Sequence, residues 1–117
     1  DPPFAVSHVG DISNVDAIPQ AADELLHLEG VTAVVVTGTS DGTVHLSGRS
    51  RDDRVHMGRV LQSVLDDIPM ASGGGHARMG GGQCSIDHMA GLGPSDGVSM
   101  DDLHERLFAV MSGEEHG

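Results

Sequence analysis

The sequence predicts an α+β domain, in which a mixed β-sheet of about four to five strands carries helices packed on it. Three observations predict this fold class. Apolar residues recur at helical spacing in three separate segments. Residues 31–38 (VTAVVVTG) form a continuous apolar, β-branched run, which is typical of a strand buried on both faces. Asp41-Gly42 follows this run and suits a two-residue hairpin turn.

The first half of the chain predicts a strand, a helix and then the buried strand. Residues 4–10 (FAVSHVG) are short and rich in valine, as expected of a first strand. Residues 16–29 have the spacing of an amphipathic helix, with Pro19 in its first turn and Gly30 as its stop. The apolar positions of this helix are Ile18, Ala22, Leu25 and Leu26.

Two further elements follow the hairpin turn. Residues 43–50 (TVHLSGRS) alternate apolar and polar side chains, which predicts a strand with one packed face. A helix comes next, with Asp52 or Asp53 as its cap and Pro69 as its end. Its apolar stripe consists of Met57, Val60, Leu61, Val64, Leu65 and Ile68.

The last third of the chain adds a strand and a helix after a glycine-rich loop. Residues 82–87 (GQCSID) predict a short strand, and residues 88–98 predict a loop. Ser99 starts a final helix with a capping-box-like spacing to Asp102, and Gly113 ends it.

Length and composition indicate a single domain with an aliphatic core. The 117 residues include two phenylalanines and neither tryptophan nor tyrosine. The single cysteine, Cys84, excludes an internal disulfide and fits a reducing cytoplasm, where we expect the protein to reside. No apolar run approaches the ~18–20 residues that span a bilayer, so we expect no membrane association.

The charge is strongly acidic and unevenly distributed. Eighteen acidic residues face six basic ones, and every basic residue is arginine, a balance typical of proteins from salt-loving archaea. Such acidity argues against nucleic-acid binding, because the field repels phosphates. Residues 49–78, however, hold five arginines against four aspartates, whereas the rest of the chain holds one arginine against fourteen acids. This local concentration of arginine favours anion binding within that window.

The segment SGGGHARMGGGQ (72–83) holds six of the 17 glycines and encloses His76 and Arg78. Consecutive glycines allow backbone N–H groups to converge into a nest that holds an anion such as phosphate. The segment is not a phosphate-binding loop of the Walker type, which needs Gly-Lys-Ser/Thr, and it lacks the dinucleotide-binding fingerprint. The alternative interpretation is a mobile surface linker.

A second cluster, SGRSRDDR, places Arg49, Ser50 and Arg51 at a strand end just before a helix. Phosphates are commonly held at strand ends and helix N-termini, and a guanidinium fork suits phosphate oxygens. The alternative is that these arginines pair with Asp52 or Asp53. A zinc site at His76, Cys84 and His88 would lack a fourth ligand, so we predict no metal site here. Nor does any spacing supply Cys84 with a catalytic histidine.

These motifs carry a family resemblance. Ser47-Gly48-Arg49-Ser50, the helix after it and Gly73-Gly74-Gly75-His76 resemble the C-terminal DHH-associated domain of DHH-family phosphoesterases. This group includes RecJ-like exonucleases, oligoribonucleases and proteins labelled exopolyphosphatase-related. The resemblance implies that residues 1–117 are one substrate-binding domain, the C-terminal part of a longer chain. In the family the catalytic DHH domain precedes this domain and carries an Asp-His-His motif, which this sequence lacks.

The resemblance also implies roles for the clustered residues. Arg49, with Ser50 and Arg51, would hold a phosphate of a short single-stranded nucleic acid or nucleotide. Gly73, Gly74 and Gly75 would allow the backbone to approach it, and Arg78 would lie nearby. His76 would face the metal site of the missing domain and assist its catalysis. The divalent metal, typically manganese, belongs to that domain in the family, so this chain needs no cofactor.

Three functional hypotheses follow from these residues and the resemblance. The first is a phosphate-binding domain of a metal-dependent phosphoesterase, a hydrolase of short oligonucleotides or nucleotide phosphates whose catalytic half lies elsewhere. The second keeps the hydrolase but makes polyphosphate its substrate. The third is a nucleotide-sensing module without catalysis. On the first hypothesis this domain alone is inactive, and it pairs in cis with the DHH domain; homodimers are compatible with all three.

The acidic surface leads to a prediction about salt. Mutual repulsion among the 18 acidic residues destabilises the folded state when screening is weak. The melting temperature should therefore rise markedly between roughly 0.1 M and 2 M KCl, because the Debye length falls to ~3 Å near 1 M salt. Calorimetry across this range checks it, and a flat melting temperature would contradict the interpretation of a halophilic protein.

Overall fold

A computed structural model describes residues 3–85 and 100–113. It shows five strands and three helices in these ranges, which confirms the predicted α+β class. In chain order the elements are β1 (Phe4–Asp11), α1 (Ala17–Leu26), β2 (Ala33–Ser40), β3 (Thr43–Ser50), α2 (Met57–Leu65), β4 (Ser72–Gly75), β5 (Met79–Ser85) and α3 (Met100–Met111).

The strands form one mixed sheet in the order β1-β2-β3-β5-β4. β1 and β2 run parallel, with α1 as their crossover, whereas every other neighbouring pair is antiparallel. Helix α1 covers one face of β2 and β3, and helices α2 and α3 cover the opposite face of the sheet. The domain therefore has three layers, with apolar cores on both sides of the sheet.

The predicted central strand is confirmed as β2. Val34 and Val36 are fully buried in the core beneath α1, while Ala33 and Val35 are fully buried in the core beneath α2 and α3. Successive side chains of a strand point to opposite faces, so a strand with helices on both sides must be apolar at every position. This is the reason that the valine run lies at the centre of the fold.

The predicted turn at Asp41-Gly42 joins β2 to β3. Ser40 and Thr43 are cross-strand partners on either side of the turn. Asp41 has φ 50° and Gly42 has φ 77°, so both central residues adopt the left-handed conformation of a type I′ turn. β3 then alternates buried and partly exposed residues along its whole length, as its sequence pattern predicts.

The helix boundaries differ from the predicted ones. α1 is shorter than residues 16–29, and α2 ends at Leu65, before Pro69. Neither Asp52 nor Asp53 caps α2, because the carboxylate of Asp52 binds Arg54 and the helix begins only after His56. His56 is the N-cap, and its Nδ1 accepts a hydrogen bond from the Arg59 backbone N–H. Ser99, residues 86–87 of the predicted strand and the loop at 88–98 lie outside the described residues.

Two histidines share one buried hydroxyl where α3 meets the sheet. The Thr37 Oγ1 lies 2.8 Å from His8 Nδ1 and 2.8 Å from His104 Nε2, and Thr37 is fully buried. Because a hydroxyl has one proton, it donates to at most one of the two rings, and any other ring donates its N–H to the hydroxyl oxygen. The network ties α3 to β1 and β2. No helix among residues 3–85 and 100–113 is long and apolar enough to cross a membrane.

The network predicts a loss of stability in mild acid. Burial, and secondarily His8, lower the pKa of His104 below its usual 6.5, although Asp101 opposes this. The folded state thus favours neutral His104, so the stabilisation is complete above pH 6.5 and is lost as the pH falls through the lower folded pKa. The decrease in melting temperature from neutral pH to mild acid should therefore be smaller for His104→Gln than for wild type. An identical pH dependence in both proteins would contradict this.

Candidate functional site

The glycine-rich segment is a β-hairpin and not a loop. β4 (Ser72–Gly75) and β5 (Met79–Ser85) pair antiparallel, and His76, Ala77 and Arg78 form the tip between them. The predicted nest is therefore wrong, because N–H groups along an extended strand point alternately to opposite sides and do not converge. The linker alternative is wrong for the same reason, since these residues belong to the sheet.

One face of this hairpin lies against α2 at very short range. A methyl group at Gly58 of α2 would overlap the backbone of Gly75. A methyl group at Gly80 would lie 2.8 Å from the Gly74 oxygen and 3.3 Å from the Gly58 Cα. The overlap at Gly58 and the 2.8 Å distance to the Gly74 oxygen are shorter than methyl contacts tolerate, and the 3.3 Å distance to the Gly58 Cα is tight. The helix therefore reaches the sheet this closely because side chains are absent at these positions. The hairpin glycines on this face are Gly73, Gly75, Gly80 and Gly82.

The hairpin tip also caps α2. The Met57 N–H donates to the Ala77 oxygen at 2.9 Å, and the Gly58 N–H donates to the His76 oxygen at 2.9 Å. The next N–H, that of Arg59, donates to the side chain of His56. The first donors of the helix are thus satisfied within the chain. This corrects the expectation that the helix N-terminus itself holds a phosphate.

The opposite face of the hairpin is open. Gly74 and Gly81 are cross-strand partners on that face, and Ser47 of β3 is the next residue in the same row. A methyl group at Gly74 would have no described atom within 4 Å, and one at Gly81 would make an ordinary 3.5 Å contact with the Leu46 oxygen. Neither glycine has a positive φ. Packing within the described residues therefore does not explain why these two positions are glycine.

Arg49 borders this open face. It is the cross-strand partner of Met79, which is 49% exposed, and both side chains belong to the same face as Gly81. The Arg49 side chain is only 13% exposed, and its Nε donates to the Asp23 Oδ1 at 2.7 Å. Its Nη1 donates to the Gly48 oxygen at 2.8 Å. Because a guanidinium has five N–H bonds, three remain for a ligand.

The structure gives Ser50 and Arg51 partners within the chain. Ser50 is buried, and its hydroxyl bonds the backbone of Asp52 at 3.1 Å. The Arg51 Nη2 donates to the Leu26 oxygen at 2.8 Å and to the Val31 oxygen at 2.7 Å, so it fastens the end of α1. Pairing with Asp52, the alternative role for the arginine cluster, occurs instead at Arg54. Arg54 and a backbone N–H lower the pKa of Asp52 to about 2.

The hairpin tip exposes His76 and Arg78. Across residues 3–85 and 100–113, neither side chain has a hydrogen-bond partner. Cys84 lies on the α2 face in the core, where burial raises the pKa of its thiol and disfavours the reactive thiolate. The part of the chain that is described contains no group of three His, Cys, Asp or Glu residues able to hold a metal. His88 lies outside it.

Sequence reasoning does not find three residues of the open face: Ser47, Gly81 and Asp23. The alternation of β3 places Ser47 on the same side as Arg49, so a signal for Ser47 is present in the sequence. Gly81 and Asp23 reach Arg49 only through strand register and helix packing. Contacts between residues far apart along the chain leave no local sequence pattern that predicts them.

Comparison with known proteins decides the family. A family model described as the DHHA1 domain matches residues 1–93. The chain belongs to the DHHA1 domain family. An uncharacterized protein of Methanocaldococcus jannaschii is 40% identical over 73 residues, which are 62% of this chain and 14% of that protein. The C-Ala domain of Aquifex aeolicus alanyl-tRNA synthetase shares the fold, with a TM-score of 0.59 at 16% identity over 87% of this chain and 89% of that one.

In this DHHA1 domain the two kinds of hairpin glycine should respond differently to substitution. Gly80→Ala should reduce the free energy of unfolding by about 1–3 kcal/mol, because its methyl group overpacks the contact with α2. Gly81→Ala should leave stability unchanged or raise it by up to about 1 kcal/mol, because alanine is favoured over glycine in a strand. Urea unfolding of both variants checks this, and equal losses would show that the open face is also needed for packing.

Proposed function

We propose that the open face of the β4–β5 hairpin binds a phosphate of a short single-stranded nucleic acid or nucleotide. The observation that carries this proposal is the pair Gly74 and Gly81, whose missing side chains are unexplained by packing and which lie in the row next to that of Arg49 on the same face of the sheet. Glycine costs roughly 0.5–1 kcal/mol in a strand relative to alanine. A ligand that approaches the backbone closely at this face supplies a reason for that cost.

The state of Arg49 supports an anionic ligand. Its side chain is mostly buried, so the guanidinium has few orientations, and three of its N–H bonds lack a partner among the described residues. Charge-assisted hydrogen bonds from arginine to phosphate are short and strong. His76 and Arg78 are exposed at the hairpin tip, and we propose that they add donors next to this face. Ser50 and Arg51 make contacts that fix the end of β3, the strand that carries Arg49.

An overall charge of −12 is compatible with such a site. Diffuse attraction of nucleic acid requires a basic surface and weakens with salt. A buried arginine beside a side-chain-free surface instead relies on short, directional hydrogen bonds, which salt screens little. The site therefore suits an acidic protein that works in concentrated salt, which is the environment that we propose for it.

Family membership supports a division of labour between domains. We propose that this domain holds substrate for a metal-dependent phosphoesterase, a hydrolase whose DHH domain lies elsewhere in the full-length cytoplasmic protein. That domain would bind the divalent metal, typically manganese. The described residues of this chain do not fit a metal site, so they contribute binding and orientation, with His76 as the side chain that assists catalysis from this side.

Met79 favours a nucleotide over polyphosphate. Its exposed thioether is the cross-strand neighbour of Arg49 and offers an apolar surface next to the phosphate position. A sugar or base attached to that phosphate can cover it, whereas polyphosphate has no apolar part. Polyphosphate hydrolysis and nucleotide sensing without hydrolysis are the two competing functions, and binding and turnover measurements separate them.

Calorimetric binding of adenosine 5′-monophosphate, compared with tripolyphosphate, tests the proposal. Arg49→Lys, Gly81→Ala and His76→Ala should each weaken nucleotide binding, and Arg49→Lys by at least about tenfold, or about 1.4 kcal/mol, because an ammonium cannot replace the fork. Arg54→Lys makes the same change at an exposed arginine and should bind like wild type.

Several outcomes would count against this function. If Arg54→Lys weakens binding as much as Arg49→Lys, the contact is a general charge effect. Preference for tripolyphosphate over the nucleotide would favour the polyphosphate hypothesis. Nucleotide binding by a full-length protein that hydrolyses neither compound with manganese would favour a sensor.

A further inference from the structure

We infer that Asp23 of α1 is a positioning residue for Arg49 and holds its guanidinium in place for an incoming phosphate. The inference rests on the proposed function and adds to it an acidic residue at an anion site. The Asp23 Oδ1 accepts the Arg49 Nε–H at 2.7 Å, although the two residues lie 26 positions apart in the chain. Helix packing alone brings them together.

The scaffold around Asp23 fixes its position. Ile18 and Ala22 are buried and anchor α1 on β2 and β3. At the end of α1, the Arg51 guanidinium binds the carbonyl oxygens of Leu26 and Val31. α1 is thus held on the sheet on both sides of Asp23, which places the backbone of Asp23 next to Arg49.

The two side chains of the ion pair differ in exposure, and this difference suits a role of Asp23 in positioning Arg49. The Arg49 side chain is 13% exposed and that of Asp23 is 58% exposed. The arginine has therefore lost most of its conformational freedom before any ligand arrives, which reduces the entropic cost of binding. The Asp23 carboxylate accepts from the Arg49 Nε–H, and the Gly48 oxygen accepts from the Arg49 Nη1. Both N–H bonds of the Arg49 Nη2 therefore remain for a ligand.

The negative charge of Asp23 opposes the gain in phosphate affinity that comes from ordering Arg49. A carboxylate near a bound phosphate repels it, but water reaches most of the Asp23 side chain and screens the repulsion. The hydrogen bond from the Arg49 Nε–H is short and directional, and it acts on the arginine at contact distance. Ordering of Arg49 therefore outweighs repulsion, and a neutral acceptor at position 23 should serve as well as the carboxylate.

Three variants separate the two effects, with adenosine 5′-monophosphate as the probe. Asp23→Ala removes the acceptor and should weaken binding about fivefold or more. Asp23→Asn keeps an oxygen acceptor and removes the charge, so it should bind at least as tightly as wild type. Glu24→Ala removes an exposed negative charge one residue away and should leave binding unchanged. Melting temperatures measured alongside show that all variants are folded.

The ligand-free protein gives a second readout. The ¹⁵N–¹H signal of the Arg49 Nε–H should be protected from exchange in wild type and Asp23→Asn, and exposed to exchange in Asp23→Ala. Wild-type affinity in Asp23→Ala, or an equal loss in Asp23→Asn, overturns the positioning role while leaving phosphate binding intact if Arg49→Lys still weakens it. Absence of nucleotide binding by wild type overturns the proposed function and this inference together.

Discussion

The close approach of α2 to the β4–β5 hairpin is the contact on which the rest of this structure depends. Gly58 of the helix lies against Gly75 of the sheet at a distance that no Cβ allows, and against Gly80 at a distance that leaves little room for one. Because the helix sits so low, the carbonyl oxygens of His76 and Ala77 reach its first N–H groups and cap it. The hairpin tip is thereby fixed to the helix, and its two exposed side chains extend from a rigid support.

Strand alternation links this packing requirement to the proposed site. Glycine is required at the positions of each hairpin strand that face α2. Because successive residues of a strand point to opposite faces, the residues that alternate with these glycines lie on the opposite face. Packing accounts for Gly73, Gly75, Gly80 and Gly82 but not for Gly74 and Gly81. The glycine run therefore has two causes, and only the second one points to a ligand. A single explanation for all of its members, whether flexibility or anion binding, misses this difference.

The sequence predicts the layers of this fold better than it predicts the site. The stripe of α2, the buried valines of β2 and the Asp41-Gly42 turn are local patterns, and the structure confirms each of them. β4 is not predicted because glycine disfavours strands, and its place in the sheet is stabilised by tertiary contacts that no window of sequence contains. The partner of Arg49 is not predicted for a related reason, since Asp23 belongs to a helix that only folding brings to the strand.

The proposed anion site does not depend on a basic surface. Among the arginines of residues 49–78, Arg51 donates to two carbonyl oxygens at the end of α1, and Arg54 pairs with Asp52. Arg49 is also paired, but its side chain is only 13% exposed whereas that of its partner Asp23 is 58% exposed. In such an ion pair the carboxylate cancels the charge of the arginine at long range, while the remaining N–H groups of the arginine stay available to a ligand in contact with it. What such a site recognises is then decided by contact geometry and not by net charge, which is the physical condition for phosphate binding at high ionic strength.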